Sequence, residues 1–123
     1  MMNINEDALL TGRVKHFFKD GNNVCGKKNA ESNPDINIGG IGVTANHCQI
    51  AHVEEIGELT LTPHEDSDNS KTYLNGDLVT EPKELNHGDR VLFGNNQLYI
   101  IVKPPQEIDK SLLDYESIMK EML

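Results

Sequence analysis

The dipeptide Asn75-Gly76, set inside "KTYLNGDLVT", constrains this chain more than any other feature. Two residues between alternating apolar segments require positive backbone angles at both turn positions, which Asn and Gly tolerate best. A β-hairpin is therefore expected here. The pattern recurs in "GDRVLFGNNQLYIIVKP", where Gly-Asn-Asn separates two apolar runs. The segments "HCQIAHV" and "ELTLTP" also read as strands, and "RVKHFFKDGNNVCGKK" reads as two short strands joined at "KDGNN". Between them lies "NAESNPDINIGGIGVTAN", a long exposed connection around a brief "INI" strand. Many short strands punctuated by turns predict an all-β sandwich or barrel.

Only the end of the chain changes period. From Asp109, a candidate N-cap, the apolar residues Leu112, Tyr115, Met119 and Met122 recur at three and four residues, with Ile108 just ahead. That spacing predicts an amphipathic helix. Pro104-Pro105 separates it from the strands, so the expected organisation is one domain over 1–103 and a linker plus helix over 104–123. The helix is expected to be an appendage or the start of a longer helical segment. A chain of 123 residues suits one domain of ordinary size.

Charge restricts the partners. The formal net charge of −9 argues against nucleic acid, whose binding depends on Lys and Arg neutralising phosphates. The apolar runs are too short to span a bilayer, and "MMNINEDALL" lacks the regions of a secretory signal, so a cytoplasmic location is the default expectation. Arg13, Lys15, Lys19, Lys27 and Lys28 fall early in the chain, whereas 54–68 holds Glu and Asp but no Lys or Arg. A small anionic group fits best near the first set.

The stretch "GVTANHCQI" gathers a hydroxyl, an amide, an imidazole and a thiol. Zinc is the first chemistry to weigh, since Cys25, His47, Cys48 and His52 are all ligand types. Strand alternation points His47 and Cys48 apart, and Cys48 and His52 would lie roughly 13 Å apart at about 3.3 Å per residue. Zinc ligands must converge to about 2.0–2.3 Å from the metal. No metal and no cofactor is expected. Nucleophilic catalysis needs a Cys or Ser beside an oriented base, and neither that pairing nor a phosphate loop is present. Glu54 and Glu55 read as a solvated turn, and His16, His64 and His87 as surface or rim residues. No catalytic residue is assigned. Cys25 and Cys48 are too few for a disulfide framework and read as reduced thiols.

In order, the blocks "CGKK", "TANHCQI" and "NSKTYLNGDLVTEPKELNHGDRVLFG" resemble a forkhead-associated (FHA) domain, over about Asn5 to Lys103. With "NINEDALL" and "KDGNNVCGKK", they are similar to the FHA domain of kinesin-3-type motors. The resemblance implies a twisted β-sandwich of short antiparallel strands whose end loops bind phosphothreonine peptides. Gly26 matches the motif glycine, and Lys27 stands in place of its arginine. Thr44 takes the phosphate-contacting serine position, and His47 the histidine that braces the loops. Asn69 and Ser70 fall at the loop residue and the peptide-gripping asparagine, and Lys71 beside them could add charge. Asn75 and Gly76 match the final hairpin turn. Lysine lacks the planar fork of arginine, and serine lacks the paired amide of asparagine, so weakened phosphopeptide binding is expected.

The implied function is a non-catalytic protein–protein interaction module from the tail of a kinesin-3-like microtubule motor, serving tail packing, dimerisation or cargo-adaptor binding. The implied partners are a protein, whether a phosphothreonine peptide or coiled-coil segments of the parent motor, with the cytoskeleton reached through that motor. Neither nucleic acid nor membrane insertion is expected. Two alternatives remain open: an active phosphothreonine reader, and a structural spacer whose terminal helix drives self-association into a homodimer.

Overall fold

The computed structural model describes residues 1–65, 70–104, 106–108 and 113–121. Two five-stranded sheets face one another. The first runs β1 (Met2–Ile4), β10 (Gln97–Ile100), β9 (Arg90–Phe93), β6 (Thr72–Leu74) and β7 (Asp77–Leu78) in spatial order. The second runs β3 (Ile36–Asn37), β2 (Gly21–Gly26), β4 (Cys48–Val53), β5 (Glu58–Pro63) and β8 (Lys83–Leu85). All pairings are antiparallel except β2 with β3. The β-sandwich expected from the sequence is present, with one short helix, α1 (Tyr115–Glu121), after the strands.

Side-chain alternation explains the second sheet. In β4, Cys48 and Ile50 are buried, and in β5, Leu59 and Leu61 are buried while Thr60 and Thr62 are not. The inward residues meet Val91, Phe93, Tyr99 and Ile101 of the first sheet in one core. The first sheet is apolar on both faces. Its outer residues Leu92, Leu98 and Ile100 join Met2, Ile4 and Ile118 in a second cluster, against which Leu113, Tyr115 and Met119 pack. This covering accounts for the unbroken apolar run "LYIIV", since a strand covered on both sides has no polar face. Burying Ile118 contributes about 2 kcal/mol toward holding α1 there.

Three expectations change. No strand pairs with β2 from "RVKHFF"; only an isolated bridge joins Met2 and Lys15. That segment instead lies along β1, where Asn3 N donates to Val14 O (3.0 Å) and His16 N donates to Met1 O (2.8 Å). The "GNN" expected as a turn opens β2. The helix is also shorter than its apolar spacing predicts: Leu113 and Asp114 are not helical, and the residue α1 buries is Ile118, outside the expected stripe. Asp109, Leu112 and Met122 lie outside the described residues, as does Pro105.

Candidate peptide-docking loops

Strand β2 ends at Gly26, a position where nothing larger than glycine fits. A Cβ there would collide with the Ala45 carbonyl, its carbon at 2.6 Å, and would sit 2.8 Å from Thr44 O. The glycine lets the 43–47 loop lie against the strand end, where Lys27 N donates to Thr44 O (2.9 Å) and His47 N donates to Cys25 O (2.9 Å). Asn37 Oδ1 accepts from Lys28 N (3.1 Å) and ties down the next residue. The exposed Lys27 side chain is thus held at the rim beside Thr44.

His47 joins this loop to the neighbouring one. Its ring is fully buried and meets Phe93 edge-on, with centroids 6.1 Å apart. Nε2 is 2.6 Å from Lys71 O, and a carbonyl can only accept, so Nε2 carries the proton. Nδ1 then accepts from Thr44 N at 3.2 Å. Burial lowers the pKa of this imidazole, against an opposing pull from the Lys71 carbonyl and with a further lowering by His64. Both nitrogens are engaged by the backbone, so the ring is a brace.

Across the gap so fixed, Thr44 Oγ1 and Ser70 Oγ are 2.7 Å apart. Each hydroxyl has one proton, and one is used between them. Ser70 is almost wholly buried and Thr44 half-exposed, so the arrangement in which Ser70 donates leaves the Thr44 proton facing outward. Exposed Lys71 follows Ser70, and its carbonyl also accepts from Gly94 N (2.9 Å). Lys27, Thr44, Ser70 and Lys71 therefore belong to one end of the sandwich, with Gly26 and His47 as their framework. Asn69 lies outside the described residues.

Asn75 and Gly76 form the expected tight turn, with φ of 50° and 95° and Leu74 paired to Asp77. The Asn75 side chain also accepts from Arg90 N (2.9 Å) and donates to Asp89 Oδ1 (3.1 Å), pinning the hairpin to β9. A contact the sequence did not suggest supports the 41–47 loop from below. Gly94, at φ 63°, leaves no room for a Cβ, which would lie 2.7 Å from the Gly42 carbonyl carbon, and Asn95 N donates to Ile41 O (3.0 Å). The glycines of "IGGIGV" thus admit the β9–β10 turn, and their spacing alone carries no sign of that partner.

The thiols are free, buried and directly opposed in β2 and β4. A hydrogen bond from Cys48, then burial, pushes the Cys25 thiol far above its ordinary pKa, which keeps it protonated and un-nucleophilic. No cluster of His, Cys, Asp and Glu fit to hold a metal occurs among the described residues. His47 precedes β4 and is buried like Cys48, so alternation does not separate them as expected; its engaged nitrogens are what deny it to a metal. His87 is a structural tie as well, since its Nδ1 accepts from Lys103 N (2.9 Å) and its Nε2 lies 3.3 Å from Glu107 O. Glu54 and Glu55 are exposed in a turn.

His47 thus braces two loops to each other, with the Thr44–Ser70 hydroxyl pair between them and Lys27 and Lys71 exposed nearby in the chain. The family model described as "FHA domain" matches residues 23–94, and the chain belongs to that family of protein-interaction modules. It is 35% identical over 116 residues to the kinesin-like protein KIF13A of Mus musculus, covering 94% of this chain and 6% of the relative. The kinesin-like protein unc-104 of Caenorhabditis elegans is 31% identical, over 98% of this chain and 7% of that protein. The chain thus spans only a small fraction of these relatives. The FhaA FHA domain, solved as a complex with the intracellular domain of Rv3910, superposes with a TM-score of 0.57 at 17% identity, over 70% of this chain and 86% of that one. An FHA domain from a study of phosphothreonine-dependent interactions gives 0.58 at 19% identity, over 72% and 83%. These structural matches establish the fold.

Proposed function

We propose that this chain is a non-catalytic interaction module in the tail of a kinesin-3-like motor, serving tail packing, dimerisation or adaptor binding. The observation that carries the reading is the braced loop end: His47 fixes the 43–47 loop to Lys71 and holds a half-exposed hydroxyl in a loop end that also carries the exposed Lys27 and Lys71. The match to the kinesin-like protein unc-104 extends over 98% of this chain, which supports a place within such a protein. Through that protein the module would be cytoplasmic and associated with microtubules. No helix among the described residues is long and apolar enough to cross a membrane. The parent motor, with residues 1–103 replaced by an unrelated sandwich of equal size, is expected to lose its normal monomer–dimer balance or adaptor recruitment while its ATPase activity persists. No change in either property would overturn the reading.

A second reading, phosphothreonine recognition, is favoured by the Thr44–Ser70 hydroxyl pair beside Lys27 and Lys71. The outward hydroxyl and a lysine could each offer a phosphate a charge-assisted bond of about 1.5–3 kcal/mol. Lysine cannot reproduce the two-pronged grip of arginine, so Lys27→Arg is expected to tighten any such binding. Selection from a phosphothreonine peptide library tests this, and absence of selective binding by both proteins would exclude it.

A further inference from the structure

The loop end is not the only surface suited to a partner. Cys48 begins β4 beside the loops, and His52 lies four residues further, about 13 Å away at ~3.3 Å per residue. At that far end is a groove of about 700 Å³. Phe18 and Val102 line it, and Phe17 (85% exposed) and Ile56 (69% exposed) stand at its edge with no covering element among the described residues. Large apolar side chains so uncovered are a mark of an interaction surface.

Charge selects the kind of partner. The chain has 20 Asp and Glu against 11 Lys and Arg, yet the described lining of this groove holds Lys15 and Lys103 and neither Asp nor Glu. Two ring nitrogens in its wall, His16 Nε2 and His52 Nδ1, are buried without a hydrogen-bond partner among the described residues. A second copy of this chain would bring its strongly acidic surface as a whole, whereas the groove's volume suits a few side chains.

From this combination we propose that the groove docks an acidic peptide segment of a partner protein, anchored by an aromatic or large aliphatic side chain between carboxylates. The apolar anchor sits against Phe17, Phe18 and Ile56, and flanking carboxylates meet Lys15 and Lys103. The site is separate from the loops of the proposed function and does not depend on phosphorylation.

The test is selection from a displayed library of random twelve-residue peptides, followed by titration of the ¹⁵N-labelled chain with a selected peptide. Enriched peptides are expected to pair aromatic or large aliphatic residues with Asp or Glu and to shift the amides of 15–18, 52, 56–57 and 102–103. Phe17→Ser and Ile56→Ser, both at exposed positions, are each expected to weaken binding about tenfold. Lys15→Glu is expected to weaken it and flatten its salt dependence, and Lys83→Ala to leave it unchanged. Basic or wholly polar enriched peptides, no enrichment, shifts confined to 27, 44 and 71, or undiminished binding by the Phe17→Ser, Ile56→Ser protein would each overturn the proposal. Self-association in sedimentation that the same double substitution abolishes would assign the groove to a second copy and overturn it equally.

Discussion

Replacing His47 with alanine removes the brace of the docking loops, and the cost follows from its contacts. The substitution deletes the bond to Lys71 O and leaves Thr44 N without its acceptor. Lys71 O keeps the Gly94 amide, so the carbonyl is not orphaned. Two lost bonds at about 1 kcal/mol each, with about 1 kcal/mol for the edge-on contact with Phe93, give a loss of about 3 kcal/mol. Urea unfolding followed by far-ultraviolet circular dichroism measures it, with an unchanged m-value expected. His47→Asn sharpens the test, because its amide oxygen can take the place of Nδ1 for Thr44 N while the reach to Lys71 is lost. Its cost should be smaller, and the Thr44 amide should exchange faster with solvent in the alanine protein than in the asparagine one. An alanine cost below about 1 kcal/mol, or identical behaviour of the two variants, would refute the two-sided brace.

Three further outcomes are expected. Asn75→Ala forces an alanine to φ 50° and cuts the ties to Arg90 N and Asp89, so it should cost about 3 kcal/mol in urea unfolding, and Asn75→Gly about 1 kcal/mol less. The folded-state pKa values of His47 and His16 are both lowered, so the unfolded chain binds more protons as pH falls through the ordinary imidazole range. Stability should therefore be full above that range and decline toward pH 5, with a shallower decline in the His47→Asn protein, as read from urea midpoints across pH. Ile118→Ser should cost about 3 kcal/mol, and a chain ending at Lys103 should associate in sedimentation because the Leu98 and Ile100 face is uncovered, whereas the intact chain stays monomeric.

What the sequence made legible was the structure whose cause is local. Asn75-Gly76 and "FGNNQ" specify their turns through residues that tolerate the required backbone angles, and both hairpins are present. β1 and β8 have three residues each and no turn chemistry of their own, so they escaped notice; their partners β10 and β5 determine them. "RVKHFF" has the composition of a strand, but Asn3 takes up its backbone through both main chain and side chain, including Val14 N to Asn3 Oδ1 at 3.0 Å. The docking of α1 was not anticipated: its helical spacing reads as an appendage, and the run "LYIIV" finds its explanation only in the structure, where α1 covers the outer face of the first sheet.

The candidate site divides in the same way. Gly26, Thr44 and His47 are placed by resemblance to the family's motif and not by local chemistry, since Gly26 answers to Ala45 and His47 to Lys71, both far off in the chain. The Thr44–Ser70 pairing joins residues 26 apart in the chain, and the support of Gly42 by Gly94 joins two loops on different sheets. Neither has a local pattern. His87, read as a rim residue, ties the segment after Lys103 to the sandwich through both ring nitrogens, another contact made only in three dimensions.

The proposed role as a docking module is tested most directly by hydrogen exchange of this chain alone and within the intact parent motor. The loop-end amides of Lys27, Thr44 and Lys71 should exchange more slowly in the parent, where a tail partner covers them. Equal exchange of these amides in the two settings, in the presence of the motor's dimer partner and adaptor, would contradict the account.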